Sequence, residues 1–364
     1  MKYVHEYRNK ELSQKLINAI HDSAKGEYTF MEVCGGHTMA IQRFGIPSLL
    51  PPEIKLLSGP GCPVCVTEKS YIDTAIAYAR LSNTIIATFG DLMRVPGSSS
   101  SLELEKALGS DVTIVLSALE ALKLAQNKPE KRIIFLAIGF ETTAPGTAVA
   151  VDQASKAGVK NFFILSAHKL MPPAMKAIVD EGIKIDGYIC PGHVSAITGS
   201  AIYEDIARKY KIPCVISGFE PLDLLQTILA LMRQVNENKP AVEIQYKRAV
   251  QPNGNTRART MMKQVFTVAD SEWRGLGNIS KSKLILTEKY QQYDALKMIP
   301  VEVEPTISDK GCICGEILKG LKTPLDCKLF GNECTPENPV GACMVSGEGA
   351  CQAYFRYQPQ TETT

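Results

Sequence analysis

The sequence predicts an α/β protein with two related domains, each a parallel sheet flanked by helices, followed by a cysteine-rich third unit. Three observations carry this expectation. Short apolar runs recur down the first 225 positions, and each ends in a turn bearing glycine and a polar residue before a helix begins. A Cys-x-Gly-His pattern occurs twice, as Cys34-Gly35-Gly36-His37 and Cys190-Pro191-Gly192-His193, and each copy is followed by a Ser-Gly pair, at Ser58-Gly59 and Ser217-Gly218. Six of the 11 cysteines crowd into the glycine- and proline-rich stretch after residue 311. Together they divide the chain into 1–120, 121–240 and 241–364.

Composition narrows the class. Hydrophobic residues at 45% and charged residues at 21% are ordinary for a globular chain, and 364 residues suffice for several cores. A net charge of +2 gives nucleic acid no general electrostatic hold, so none is expected as a partner. No run of eighteen apolar residues occurs, and the N-terminal stretch mixes charges with Leu12, Leu16, Ile17 and Ile20 at helical spacing. A cytoplasmic protein without a membrane span is therefore expected. In a reducing compartment eleven cysteines point to metal ligation or redox chemistry and away from a disulfide framework.

Taken in order, Tyr28 to Val33 reads as a strand leading into Cys34-Gly35-Gly36-His37-Thr38. Ile54 to Leu57 leads into Gly59-Pro60-Gly61-Cys62-Pro63-Val64-Cys65, a Cys-x-x-Cys held in a tight turn before a helix over Ser70 to Leu81. Thr84 to Phe89 leads into Gly90-Asp91, Ile133 to Ile138 into Gly139-Phe140-Glu141-Thr142-Thr143, and Phe162 to Leu165 into Ser166-Ala167-His168. Tyr188-Ile189 precedes Cys190 to His193, and Cys214 to Ile216 precedes Ser217-Gly218-Phe219-Glu220. Ligands of parallel sheets bind beyond the carboxyl ends of strands. The polar residues at those ends, among them Asp91, Glu141, His168, His193 and Glu220, are candidates to line one cleft, although Asp91 and Glu141 also stand where helix caps form. Cys190 and Cys214 read as packed core thiols. Beyond a boundary near residue 240, Val242 to Val250 alternates as an exposed strand, Thr256 to Val265 reads as a helix, and Glu272 to Gly277, with the only tryptophan, reads as a turn-rich lid or joint.

The tail holds Cys312, Cys314, Cys327, Cys334, Cys343 and Cys351 among so many turn residues that it has little capacity for a core. Such segments usually fold around a metal. Zinc favours paired Cys-x2-4-Cys knuckles, which are absent, and irregularly spaced thiolates suit an iron–sulfur cluster better. Zinc and free thiols remain the alternatives. Neither a phosphate-binding Gly-x4-Gly-Lys-Ser/Thr loop nor the Cys-x3-Cys-x2-Cys run of radical enzymes occurs.

Cys34-Gly35-Gly36-His37-Thr38, the Gly59 to Cys65 turn, Gly139 to Thr143, and Cys327-Lys328-Leu329-Phe330-Gly331, Cys334-Thr335-Pro336, Gly341 to Ser346 and Glu348 to Cys351 together resemble the HypD family of hydrogenase maturation factors. The resemblance runs from about residue 30 to residue 357. It implies an assembly factor for the iron–dicyanide–carbonyl group of nickel–iron hydrogenases, working with HypC to hold iron while HypE, with HypF, supplies cyanide, and reaching the hydrogenase large subunit through HypC. It further implies a [4Fe-4S] cluster in the third unit, whose family spacing falls on Cys312, Cys327, Cys334 and Cys351, with Cys314 as an alternative to Cys312 and Cys343 as a buried thiol. Cys34 is then the expected iron ligand. Cys62 and Cys65 become a redox pair with transient iron contact, and His37 is placed to tune the Cys34 thiolate or to donate a hydrogen bond to it, lowering its pKa as a cationic imidazole would, with a structural histidine capping a helix as the alternative. His37, His193, Asp91 and Glu141 complete the expected reacting set. A different function, a cluster-dependent disulfide reductase like ferredoxin–thioredoxin reductase, uses the same Cys62/Cys65 pair.

Overall fold

The computed structural model describes residues 5–308 and 310–357. Residues 1–4, 309 and 358–364, which belong to the expected first and third units, lie outside the described residues. The strands are β1 (Tyr28–Glu32), β2 (Ile54–Ser58), β3 (Thr84–Thr88), β4 (Val112–Ile114), β5 (Arg132–Gly139), β6 (Phe162–His168), β7 (Gly187–Pro191), β8 (Cys214–Ser217), β9 (Val242–Ile244), β10 (Phe266–Trp273) and β11 (Gly277–Leu286). They form two parallel sheets, β2-β1-β7-β8-β9 and β4-β3-β5-β6, and one antiparallel hairpin, β10-β11. The central strands β3 and β7 are buried at every position, as expected of parallel strands covered by helices on both faces.

The sheets cut across the expected units. The first takes β1 and β2 from 1–120, β7 and β8 from 121–240 and β9 from beyond residue 240, whereas the second runs uninterrupted from Thr84 to His168. After β2 the chain passes through the helices Pro63–Val66 and Lys69–Ala79 into the second sheet and returns only at β7, which pairs with β1. The two Cys-x-Gly-His turns therefore follow neighbouring strands of one sheet and do not face each other from two domains.

Each sheet reverses its order once, between β1 and β7 in the first and between β3 and β5 in the second. At such a switch point the loops leave in opposite directions and open a crevice beyond the strand ends. Cys34 and Pro191 stand at the first crevice, Gly90-Asp91 and Glu141 at the second.

Two readings of the third unit change. The strand expected over Val242 to Val250 stops at Ile244, because the Gln245 and Tyr246 amides both donate to the Ile216 carbonyl and turn the chain. The tryptophan segment is the tip of the β10-β11 hairpin, which sequence reading did not find. It acts as a joint: Lys169, fully buried at the end of β6, donates to Glu68, to Ser271 Oγ at 2.7 Å and to the Glu272 carbonyl, while the Arg274 amide donates to the Val66 carbonyl at 2.9 Å. Gly275 meets Gly315 backbone to backbone, where a Cβ would lie 2.3 Å from the Gly315 Cα. The hairpin thus clamps the Cys-x-x-Cys turn and the cysteine tail together.

Candidate functional site

Cys34 caps the helix Gly35–Arg43 in extended backbone, with its side chain half-buried. Its amide donates to Glu32 Oε2 at 3.0 Å, and Thr38 donates to the other oxygen of the same carboxyl group. Glu32 is buried in β1, and burial pushes its pKa up to about 8. The Cys34 thiol is pushed up to about 12, first by burial and then by the nearby Glu348 charge. A thiol so placed stays protonated until a metal cation displaces the proton.

The Cys-x-x-Cys turn lies directly across this residue. A Cβ on Gly61 would fall 2.1 Å from the Cys34 nitrogen and 2.4 Å from its Cα, and the Gly35 amide donates to the Gly61 carbonyl at 3.0 Å. Only glycine permits that approach. Cys62 and Cys65 are joined in a disulfide, and both are nearly inaccessible, at 3% and 0% exposure.

The expected cationic His37 is corrected by its surroundings. Its Nε2 lies 3.0 Å from the Gly218 carbonyl and 3.3 Å from that of Ser217, so this nitrogen carries the proton. Burial lowers its pKa to about 4, and Nδ1 is left as a buried acceptor with no partner. The ring is neutral and cannot assist the Cys34 thiolate as a cation. Phe219, which sequence reading passed over, stacks on both His37 and His193, with centroids 4.6 and 4.1 Å apart. His193 does reach the first crevice and stands exposed there.

The other expected residues scatter. Asp91 accepts from Ser346 Oγ at 2.8 Å and ties the tail to the second sheet. Glu141 is buried and accepts from the Met171 amide at 3.1 Å, with its other oxygen unpartnered. His168 is buried against Thr147 Oγ1 at 2.9 Å, and Glu220 pairs with Arg8 while capping the helix Pro221–Asn236. Of these, Asp91 neighbours the Cys34 crevice through the tail and Glu220 follows the stacked Phe219, whereas Glu141 and His168 belong to the second sheet.

Glu141 and His168 have opposite pH signatures. Burial raises Glu141 to about 7 from 4.5, so its contribution to stability is complete below pH 4.5 and disappears as pH rises through 7. Burial lowers His168 to about 4 from 6.5, so its contribution is complete above pH 6.5 and disappears as pH falls through 4. Each is worth about 2 kcal/mol between pH 7 and pH 5, with opposite sign. Glu141→Gln is expected to make the chain more acid-labile than wild type by about that amount over this range, measured by urea unfolding at both pH values.

The tail brings its thiols together. Cys314 Sγ and Cys343 Sγ lie 2.9 Å apart, both buried. Burial first, and then the neighbouring Cys314, Cys334, Cys312 and Cys327, push the Cys351 thiol up, so four other tail thiols lie near it. A Cβ on Gly341 would meet Cys312 Sγ at 2.8 Å. Among the described residues no three His, Cys, Asp or Glu side chains converge as for a single metal ion. The short helix Ala342–Val345, carrying Cys343, packs on Pro63–Val66, and Ala350–Tyr357, carrying Cys351, packs on Gly35–Arg43. Disulfide, Cys34 and tail thiols are thus neighbours in one assembly.

A family model described as "HypD: Hydrogenase formation hypA family" matches residues 11–358. The chain belongs to the HypD family. It is 46% identical to the hydrogenase maturation factor HypD of Azotobacter vinelandii over 100% of this chain and 98% of that protein. It is 43% identical to HypD of Escherichia coli K12, covering 99% of each. A putative hydrogenase expression/formation protein of Methanocaldococcus jannaschii is 44% identical over 96% of this chain and 98% of its own length. Membership of HypD makes hydrogenase maturation the process served, and among the described residues no helix is long and apolar enough to cross a membrane.

Proposed function

We propose that this chain is the cytoplasmic scaffold on which the iron–dicyanide–carbonyl group of nickel–iron hydrogenases is assembled. The placement of Cys34 carries the reading: a half-buried thiol at a switch point, beside a glycine-walled disulfide turn. Iron is the cargo, held by Cys34 and a cysteine of HypC, because soft thiolates suit electron-rich iron carrying cyanide and carbon monoxide. HypE with HypF supplies cyanide, and HypC carries the product to the hydrogenase large subunit.

The six tail thiols suit a [4Fe-4S] cluster in chemistry and grouping, with Cys312, Cys327, Cys334 and Cys351 as its ligands; each thiolate takes its own corner iron, so convergence on one point is not required. When bound, the cluster supplies single electrons. That assignment leaves Cys314 and Cys343 over, and their 2.9 Å contact supports a second redox pair in place of an alternative ligand and an inert thiol. Two thiols there lose two protons and two electrons on closing to a disulfide, and opening Cys62–Cys65 consumes the same number. Exchange through a mixed disulfide balances the two without an external reductant.

The alternative, a free-standing disulfide reductase, is disfavoured by the burial of Cys62 and Cys65, which leaves no sulfur for a bulky substrate to reach. The test is anaerobic copurification with HypC followed by infrared spectroscopy. Cyanide and carbon monoxide bands are expected in wild type and absent in Cys34→Ala. Turnover of an external disulfide that survives Cys34→Ala, without such bands in wild type, overturns the scaffold in favour of the reductase.

A further inference from the structure

We propose that Glu348 selects by charge what reaches the Cys34 thiol, admitting cations and neutral groups and holding back small anions. The strap carrying it crosses the helix start where Gly35 has no side chain. A Cβ there would meet Glu348 Cβ at 2.3 Å, its carbonyl oxygen at 2.7 Å and its Oε2 at 3.0 Å. The carboxylate therefore stands one residue from Cys34, at the mouth of the crevice.

Glu348 is held in that place from both sides. On one, its amide donates to Ser346 Oγ at 3.3 Å, and that hydroxyl donates to Asp91 Oδ2 at 2.8 Å. On the other, Gly349 is pressed on the Cys343 backbone, where a Cβ would lie 2.1 Å from the Cys343 carbonyl oxygen. Among the described residues no lysine or arginine pairs with Glu348, and Asp91 adds a second negative charge beside it. An uncompensated carboxylate this close to Cys34 acts within the Debye length at moderate salt and is screened at molar salt.

The inference gains its meaning from the iron-holding reading of Cys34: ferrous iron is drawn in as a cation, while an anionic ligand has to be handed over in neutral, covalently bound form. Its test is independent of that reading. The rates of Cys34 alkylation by neutral iodoacetamide and anionic iodoacetate are compared at one slightly alkaline pH, residue by residue, by peptide mass spectrometry on the anaerobically purified full chain. Their ratio cancels the thiolate fraction, which is the same for both reagents. The preference for iodoacetamide at Cys34 is expected to fall about threefold or more in Glu348→Gln. It is expected to fall further in Glu348→Lys, and in wild type to shrink in molar salt. The same ratio at Cys34 in the urea-unfolded chain is the internal control and is expected not to move. An unchanged ratio at Cys34 in the folded chain, an equal fall in the unfolded chain, or a wild-type preference insensitive to salt overturns the proposal. The salt series needs no variant and holds even where a substitution fails to fold.

Discussion

Cys351→Ala is expected to strip the tail of iron and acid-labile sulfide, from about four of each per chain to near none. Cys351 is buried with four other tail thiols close enough to raise its pKa, and its helix Ala350–Tyr357 is the tail's main regular element. Between Gly311 and Gly349 the tail has only short turns and helices of five residues or fewer, and its buried apolar residues, such as Ile317, Leu318, Met344 and Val345, are spaced among the cysteines, so its packing is expected to loosen when the metal is lost. Its loss is expected to reach the first sheet, because Ala350–Tyr357 packs on the helix that Cys34 caps. Limited proteolysis is expected to cut after residue 310 in the variant and not in wild type. Cys343→Ala is the contrast: its sulfur is engaged with Cys314, so metal and sulfide are expected to stay. Zinc without sulfide in the wild type sinks the cluster reading, and equal sulfide loss in both variants sinks the division of the six thiols into four ligands and a pair.

The fold class was legible because parallel strands buried on both faces leave continuous apolar runs, each closed by a turn with glycine. β1, β2, β3, β5, β7 and β8 stand within a residue or two of where those runs lie, and β6 runs three residues further than its run, to His168. Sheet membership was not legible. Nothing local in Tyr28 to Val33 tells that its second neighbour is Gly187–Pro191, since that pairing depends on where the chain returns after a second complete sheet. The repeated Cys-x-Gly-His pattern was a correct sign of similar local structure and a poor guide to global placement. The hairpin escaped for a different reason. β11 reads Asn278-Ile279-Ser280-Lys281-Ser282-Lys283, a polar sequence that becomes a strand because Ser282 Oγ serves the Trp273 indole at 2.8 Å and its neighbours clamp Lys169.

At the site, the thiols announced themselves by residue type, whereas the groups controlling them did not. Glu32 carried a readable signal, a carboxyl in step with Phe30 on an otherwise apolar strand, which marks a buried and hydrogen-bonded acid. Glu348 carried none: a glutamate between two glycines looks like a solvated loop, and only Gly35 shows what it lies against. His37 was given the wrong charge because its Nε2 partner, the Gly218 carbonyl, is 181 residues away in sequence.

Gly61→Ala is expected to abolish iron loading while leaving every thiol in place. The added Cβ would fall 2.1, 2.4 and 2.6 Å from the nitrogen, Cα and carbonyl carbon of Cys34, all main-chain atoms that cannot rotate away as a flexible side chain does. Either the disulfide turn lifts off or the helix start at Cys34 is pushed out, and the Gly35 amide loses its bond to the Gly61 carbonyl in both cases. Overpacking of this kind costs about 1–3 kcal/mol in a well-packed interior, and clashes confined to main chain belong at the upper end. Gly347→Ala is the matched control, since a Cβ there meets nothing within 4 Å. Urea unfolding is expected to separate the two variants by about 2 kcal/mol or more. Infrared bands from cyanide and carbon monoxide are expected to vanish in Gly61→Ala alone. Wild-type bands in Gly61→Ala would mean that the approach of the disulfide turn to Cys34 is incidental, and iron would then be held by Cys34 and its partner protein without help from Cys62 and Cys65.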